Sequence, residues 1–354
     1  MEITQEQVLS ALSFVIEPDL KKDIISLGFV SDIKIEGNKI SCTVQASNPA
    51  MHNRKRIEDA CDHQLKLKIG NEVETSVSIV AMNEDNQTDP QVRKVLPGVK
   101  HIIAVASGKG GVGKSTITSN IAAGLAKRGY KVGLIDADIY GPSVPIMFDV
   151  QLHKPGMKDI NGKSYMTPVE AYGVKILSIG FFADTDQAIV WRGPMASKAL
   201  DQMVKDVYWG DLDYMLIDLP PGTGDVHLSI VQAVPLSGAI VVSTPQQVAL
   251  ADARKGINMF QMDSIKVPVL GLVENMSYFT PAELPDNKYY IFGKDGAKEL
   301  SEKMNTPLLA QIPLVQSIRE SGDIGRPAVL QDNTASSKAF EALVDSVIKT
   351  MENK

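Results

Sequence analysis

The sequence predicts an α/β protein: a doubly wound, mostly parallel sheet preceded by a smaller α/β unit. Three observations carry that expectation. From residue 101 onward, short apolar runs recur at residues 102–106, 132–136, 215–218, 239–243 and 269–273. Strands buried on both faces of a parallel sheet read as continuous runs of this kind. A helical pattern intervenes, with Ile117, Ile121, Ala122 and Leu125 on one face. Before residue 83 the apolar residues instead alternate with polar ones in short stretches, the signature of half-buried strands.

The smaller unit comes first. Residues 4–16 read as a helix, with Val8, Leu9, Leu12, Val15 and Ile16 at helical spacing. Thr4 is its expected N-cap, and Gln7 three residues on completes a capping box. Ile33 and Ile35, then Ile40, Cys42 and Val44, alternate with polar residues on either side of Glu36-Gly37-Asn38-Lys39. That pattern predicts a β-hairpin. A helix over 52–68 and a strand over 75–82 follow. Residues 83–98 begin with the polar, aperiodic Asn83-Glu84-Asp85-Asn86-Gln87-Thr88-Asp89-Pro90 and read as a linker. The expected domains are therefore 1–82, a linker 83–98, and 99–354.

Bulk properties narrow the function classes. In 354 residues, 44% are hydrophobic and 22% charged, enough for a packed core. A net charge of −6 argues against a general nucleic-acid or membrane-surface role. Two cysteines, Cys42 and Cys61, do not make a disulfide framework. The N-terminus lacks the basic-then-apolar pattern of a signal peptide, and no run of 18 apolar residues occurs. The expectation is a cytoplasmic protein.

Gly108-x-x-x-x-Gly113-Lys114-Ser115 follows one predicted strand and opens a predicted helix, the context a Walker A loop requires. Glycines let backbone N–H groups converge on phosphate oxygens, and the helix N-terminus adds about half a positive charge. Lys114 is expected on the β- and γ-phosphates and the Ser115 hydroxyl on Mg²⁺. The expected nucleotide contacts are Gly108, Lys109, Gly110, Gly111, Val112, Gly113, Lys114, Ser115 and Thr116. Asp136 and Asp138 close one strand and Asp218 closes another. Carboxyl ends of parallel strands face the ligand crevice. Asp218 is the Walker B candidate, Asp136 a candidate for ordering the Mg²⁺ shell, and Asp138 a candidate for orienting or deprotonating the attacking water. Helix capping is the plainer alternative for any one of these aspartates.

Lys109-Gly110-Gly111-Val112-Gly113-Lys114-Ser115-Thr116 resembles the deviant Walker A of the MinD/ParA/ArsA-type ATPases. Longer stretches narrow the resemblance: Leu96-Pro97-Gly98-Val99-Lys100, Asp136-Ala137-Asp138-Ile139-Tyr140-Gly141-Pro142-Ser143, Asp218-Leu219-Pro220-Pro221-Gly222-Thr223-Gly224-Asp225, Thr244-Pro245-Gln246-Gln247 and Glu274-Asn275-Met276-Ser277. Together they resemble the Mrp/ApbC family of iron-sulfur cluster carrier ATPases, and the N-terminal unit resembles the small cluster-assembly domain many members carry. The resemblance implies an ATP- and Mg²⁺-dependent homodimer. In it Lys109 reaches the partner's nucleotide, Asp225 senses the γ-phosphate as part of a switch loop, and Asn275 contacts adenine. It also implies delivery of clusters to iron-sulfur apoproteins or exchange with assembly factors, with no nucleic-acid or membrane partner.

The sequence departs from that family at the cargo. Members that carry a [4Fe–4S] cluster usually place Cys-x-x-Cys shortly after the Asn-Met-Ser segment. Here that segment continues Tyr278-Phe279-Thr280-Pro281-Ala282-Glu283-Leu284-Pro285, and no cysteine follows Cys61. Relatives often place a cysteine after Pro-Ala, where Met51 follows Pro49-Ala50. Cys42 and Cys61 sit on apolar faces and read as small core residues. His52, Glu283 and Asp286 are poor substitutes for thiolates. The iron-sulfur ligands are thus unknown. This loss leaves a second reading open, a nucleotide-switched adaptor or positioning ATPase of the MinD/ParA type that carries no cluster. A third is a nucleotide-binding scaffold with negligible turnover. Phe340, Leu343, Val344, Val347 and Ile348 form an apolar face on the last helix, and its balanced charge favours core packing over membrane binding.

Overall fold

The computed structural model describes residues 3–17, 22–46, 51–70, 72–81, 95–139, 141–160, 162–182, 193–263, 265–281, 283–284 and 287–353. It forms two compact units, one holding Met1–Pro97 and one made of Gly98–Val231 and Leu236–Lys354. Most of the expected linker, residues 83–94, lies outside the described residues, as does Asp286.

In the first unit, helix α1 (Gln5–Leu12) begins at Thr4 with the expected capping box. The Thr4 hydroxyl accepts from the Gln7 N–H at 3.3 Å, and the Gln7 side chain accepts from the Thr4 N–H at 3.0 Å. The helix stops at Leu12, four residues short of the expected end. Val15 and Ile16 are β-branched, and Pro18 disfavours helical backbone at Glu17. Ile16 instead bridges to Asp23 in an antiparallel pair. Strands β1 (Val30–Glu36) and β2 (Lys39–Ala46) form the hairpin across Gly37-Asn38, with Glu36 opposite Lys39. Helix α2 (Met51–Ile69) crosses to β3 (Glu74–Ala81), which pairs with β2 in parallel. Ile40, Cys42 and Val44 of β2 and Ile57, Cys61 and Leu65 of α2 share one core.

The second unit is built on an eight-stranded sheet. In chain order its strands are β4 (Val99–Ser107), β5 (Val132–Asp136), β8 (Val169–Ala171), β9 (Val174–Ser178), β10 (Leu212–Asp218), β11 (Gly238–Ser243), β12 (Val269–Glu274) and β13 (Leu308–Gln311). Their spatial order is β13-β12-β11-β4-β10-β5-β9-β8. Every pairing is parallel except β8 with β9. β5 and β11 are buried at every position, which is why residues 132–135 and 238–242 are unbroken apolar runs. Strands β6 (Gly156–Ile160) and β7 (Lys163–Thr167) form a separate antiparallel hairpin that the periodicity did not predict.

Helix α3 (Lys114–Lys127) follows β4 and buries Ile117, Ile121, Ala122 and Leu125 as expected. The later helices are α4 (Val144–Met147), α5 (Gly193–Lys205), α6 (Asp225–Ala233), α7 (Gln247–Gln261), α8 (Gly296–Lys303), α9 (Gln316–Asp323) and α10 (Ala335–Glu352). Helix α10 buries Phe340, Leu343, Val344 and Val347. It is tied to α3 by Lys127 with Glu341 at 2.8 Å and by Arg128 with Asp345. That apolar face is therefore core. Among the described residues no helix is long and apolar enough to cross a membrane.

Candidate nucleotide site

The turn between β4 and α3 carries residues 108–113. Gly113, the N-cap of α3, has φ +83°, a left-handed conformation that favours glycine. Gly108 is required for another reason: a Cβ there would collide with the Asp252 and Ala253 backbone of α7. The Ser107 hydroxyl donates to the Lys109 carbonyl at 3.0 Å and braces the turn from inside.

The sheet delivers the acids. β10 lies between β4 and β5, with Asp218 in register with both Val105 and Asp136. Asp136 is in turn paired with Ser178 of β9. Three strand ends therefore align at one edge, directly under the turn.

Lys114, Ser115, Asp138 and Asp218 converge there. The Lys114 ammonium lies 2.8 Å from Asp218 Oδ2 and 3.7 Å from Asp138 Oδ2. The Ser115 hydroxyl donates to Asp218 Oδ2 at 2.5 Å, and Thr118 donates to Asp218 Oδ1 at 2.7 Å. Asp218 is fully buried and has both oxygens engaged. A cavity of about 220 Å³ opens over these groups, lined by Ser107, Gly110 to Thr116, Asp138, Ser143, Met147 and Pro221. Its donors and carboxylates suit a phosphate chain with a hard cation. Ser115 Oγ and Asp218 Oδ2 meet at one point, and hard oxygens of this kind fit Mg²⁺.

Asp136 sits behind that cavity. Its Oδ1 accepts from the Asp138 N–H at 3.2 Å, and its Oδ2 from the Val144 N–H at 3.2 Å and the Ser178 hydroxyl at 2.9 Å. Asp136 thus holds the turn that carries Asp138. Burial first, then the charge of Asp218, push its carboxyl up to about 7.

Lys109 is half-buried at the loop and makes no ion pair among the described residues. Asn275 is buried, and its side-chain amide donates to the Val112 carbonyl at 2.8 Å. Asp225 begins α6, just past the loop that follows β10. A second cavity of about 330 Å³ borders the first through Gly113, Thr116, Ser143 and Met147. Its walls are mainly apolar: Ile146, Met276, Pro313, Leu314, Val315 and Ile318.

Sequence reading missed Thr118, Ser178 and His227. Thr118 stands one helical turn after Ser115, so i, i+3 spacing was available as a signal. Ser178 has none, because only the β5–β9 register brings it to Asp136. His227 on α6 is buried, its Nδ1 3.3 Å from the Pro220 carbonyl and its Nε2 without a hydrogen-bond partner among the described residues. Burial pushes its pKa down to about 4.

The two thiols offer a contrasting chemistry. Burial raises Cys42 to about 11 and Cys61 to about 12. Iron-sulfur clusters need thiolates, which these surroundings oppose. Among the described residues no group of three or more His, Cys, Asp or Glu is arranged to hold a metal ion. A cluster does not fit the residues this chain presents.

The family of NUBPL iron-transfer P-loop NTPases matches residues 98–348. A second family, described as iron-sulfur cluster assembly protein, matches residues 5–79. An iron-sulfur cluster carrier protein of Synechocystis is 42% identical over 98% of this chain and 97% of its own length. The iron-sulfur cluster transfer protein NUBPL of Dictyostelium discoideum is 47% identical over 74% of this chain and 80% of its own. Among solved structures, a nucleotide-binding protein of Archaeoglobus fulgidus in complex with ADP is 38% identical, with a TM-score of 0.59. It matches 68% of this chain and 92% of its own. The cell division ATPase MinD of Pyrococcus furiosus is 25% identical, with a TM-score of 0.53 over 70% of this chain and 98% of its own.

Proposed function

The chain belongs to the NUBPL-type iron-transfer P-loop NTPases, and from that premise we propose that it is a homodimeric ATPase that delivers iron-sulfur clusters to apoproteins. The observation that carries the nucleotide chemistry is the convergence of Lys114, Ser115, Asp138 and Asp218 beneath a glycine turn. The β- and γ-phosphates lie over backbone N–H groups of residues 110–115, at the N-terminus of α3. Lys114 turns from the carboxylates to the phosphates. Ser115 and Asp218 hold Mg²⁺, which when bound neutralises charge on the phosphate oxygens. Asp138 orients the attacking water or takes its proton, and Asp136 keeps Asp138 in place. Adenine enters the larger cavity, against Met276, Pro313 and Leu314.

Lys109 completes the site of a second copy. Its ammonium has no ion-pair partner among the described residues, which leaves it available to a partner's phosphates. Asp225 stands where a loop between β10 and α6 would respond to the γ-phosphate.

The cargo rests on the family, since a single chain offers no thiolate site. The positioning-ATPase reading is not favoured. The Synechocystis carrier protein matches nearly the whole chain at 42% identity, whereas the Pyrococcus furiosus MinD matches 70% of it at 25%. Iron and acid-labile sulfide measured after anaerobic purification, with and without ATP, test the cargo. The expected result is binding or transfer of iron and sulfide that depends on ATP, and Cys42→Ser and Cys61→Ser report whether either thiol is a ligand. Protein that never binds or transfers iron and sulfide would sink the carrier role while leaving the ATPase intact.

A further inference from the structure

Asn275 follows the last residue of β12, and its backbone N–H still donates to Ser243 of β11 at 2.8 Å. The strand end beside it is pinned. Glu274 is fully buried and accepts from the Ala297 N–H at 2.6 Å and from Gln311 Nε2 at 2.8 Å. Met276 then turns the chain away with φ +56°. The Asn275 side chain therefore leaves a fixed backbone. It is 6% exposed and reaches not outward but into the phosphate turn.

Its contact there is chemically unambiguous. The Val112 carbonyl can only accept, so the atom facing it at 2.8 Å has to be the amide nitrogen. The same nitrogen occupies the space that a Cβ on Gly113 would need. In a trans peptide the C=O and the following N–H point to opposite sides. Holding the Val112 carbonyl toward Asn275 thus turns the Gly113 N–H away from it. With Gly113 at φ +83°, that peptide has a defined orientation before any phosphate arrives.

We propose that Asn275 is a positioning residue for the phosphate loop, and that its contribution to affinity comes through Val112 and not through the base. This rests on the nucleotide-binding reading above. Asn275 borders the apolar cavity together with Met276, but its amide nitrogen is committed to the Val112 carbonyl, which leaves Met276 and the other apolar walls to a base. Asn275 works as a latch between β12 and the turn, one buried hydrogen bond that spares phosphate the ordering of that peptide.

The test measures equilibrium binding of Mg·ATP, Mg·GTP and base-free tripolyphosphate to the full chain and its variants. One hydrogen bond in a buried site implies that Asn275→Ala weakens all three by the same factor, about tenfold. Asn275→Asp keeps the shape but faces Val112 with an acceptor, so it should weaken all three further. Met276→Ala should weaken ATP and leave tripolyphosphate unchanged. Hydrogen exchange of a peptide spanning residues 108–114, without nucleotide, should speed up in Asn275→Ala and Asn275→Asp while the rest of the sheet exchanges as in the parent. A loss confined to ATP, with tripolyphosphate unaffected, would overturn the proposal in favour of base contact. Unchanged binding and exchange would overturn it outright. A parent that binds none of the three ligands would end both the latch and the nucleotide reading. A parent that binds all three beside an indifferent variant ends only the latch.

Discussion

Two places in this protein bury groups that normally seek water, and they do so on opposite terms. Beneath the phosphate turn, Asp136, Asp218 and Lys114 are buried and every one of them is engaged by neighbouring donors or charges. In the N-terminal unit, Cys42 and Cys61 are equally buried, but their neighbours are Ile40, Val44, Ile57 and Leu65. In the first, the Lys114 ammonium and the Asp218 carboxylate face each other at 2.8 Å where a phosphate and a cation would meet, while burial and the charge of Asp218 disfavour a second negative charge on Asp136. The second suppresses charge altogether, raising both thiols far above the range in which thiolates form. Burial alone marks neither a site nor a core; the partners decide which it is.

Removing a partner from the engaged group should have the largest effect. Lys114→Ala leaves Asp218 with one cation fewer and deprives the phosphates of theirs. Nucleotide affinity and phosphate release should both fall by roughly a hundred- to a thousandfold, read by calorimetry and a phosphate-release assay. Lys109→Ala and Asp138→Ala should abolish release while ATP binding persists. Release equal to the parent's in both variants would reduce the protein to a nucleotide-binding scaffold.

His227 is the intermediate case, one ring nitrogen near a carbonyl and the other without a partner among the described residues. Its folded pKa of about 4 lies below the ordinary 6.5. Between those values the unfolded chain takes up a proton that the folded chain refuses, so lowering the pH favours unfolding. Asp136 has the opposite slope, because its folded carboxyl holds a proton up to about 7. Comparing the parent with His227→Gln isolates the imidazole. The parent should lose up to about 3 kcal/mol relative to the variant from pH 6.5 to pH 4, measured by urea unfolding across that range. Parallel stability curves would show that the imidazole is solvated or paired.

Introducing an unpartnered hydroxyl among the thiols sharpens the contrast from the other side. Cys61→Ser should cost about 1–3 kcal/mol of unfolding free energy and leave ATP binding unchanged. A neutral substitution would mean that a partner waits in that core. The smallest effect belongs to the half-exposed pair Lys127–Glu341. Replacing Lys127 with Ala should change stability by less than about 1 kcal/mol, although the pair is 2.8 Å apart.

Five strands of the large sheet, β4, β5, β10, β11 and β12, were legible because each is apolar on both faces, whereas β8, β9 and β13 were not predicted. The runs at 132–136 and 269–273 match β5 and β12 to within a residue. The N-terminal capping box was legible because both its bonds are local. The end of α1 was misjudged, since apolar spacing persists through Ile16 while the backbone has already turned. The β6–β7 hairpin escaped because its faces are largely exposed and leave no apolar alternation. Ser178 escaped because its partner is 42 residues away.

The glycines, Lys114 and Ser115 act through backbone freedom and through side chains one or two positions apart. Their chemistry was therefore set by adjacency in the chain, and the sequence by itself determined a phosphate-binding turn. Only the tertiary structure decided what surrounds it. Placing β10 between β4 and β5 brings Asp218 under Lys114. The register of β9 puts Ser178 against Asp136, and the end of β12 carries Asn275 to Val112. Those contacts join residues dozens to more than a hundred and sixty positions apart, and strand order, not spacing, makes them neighbours.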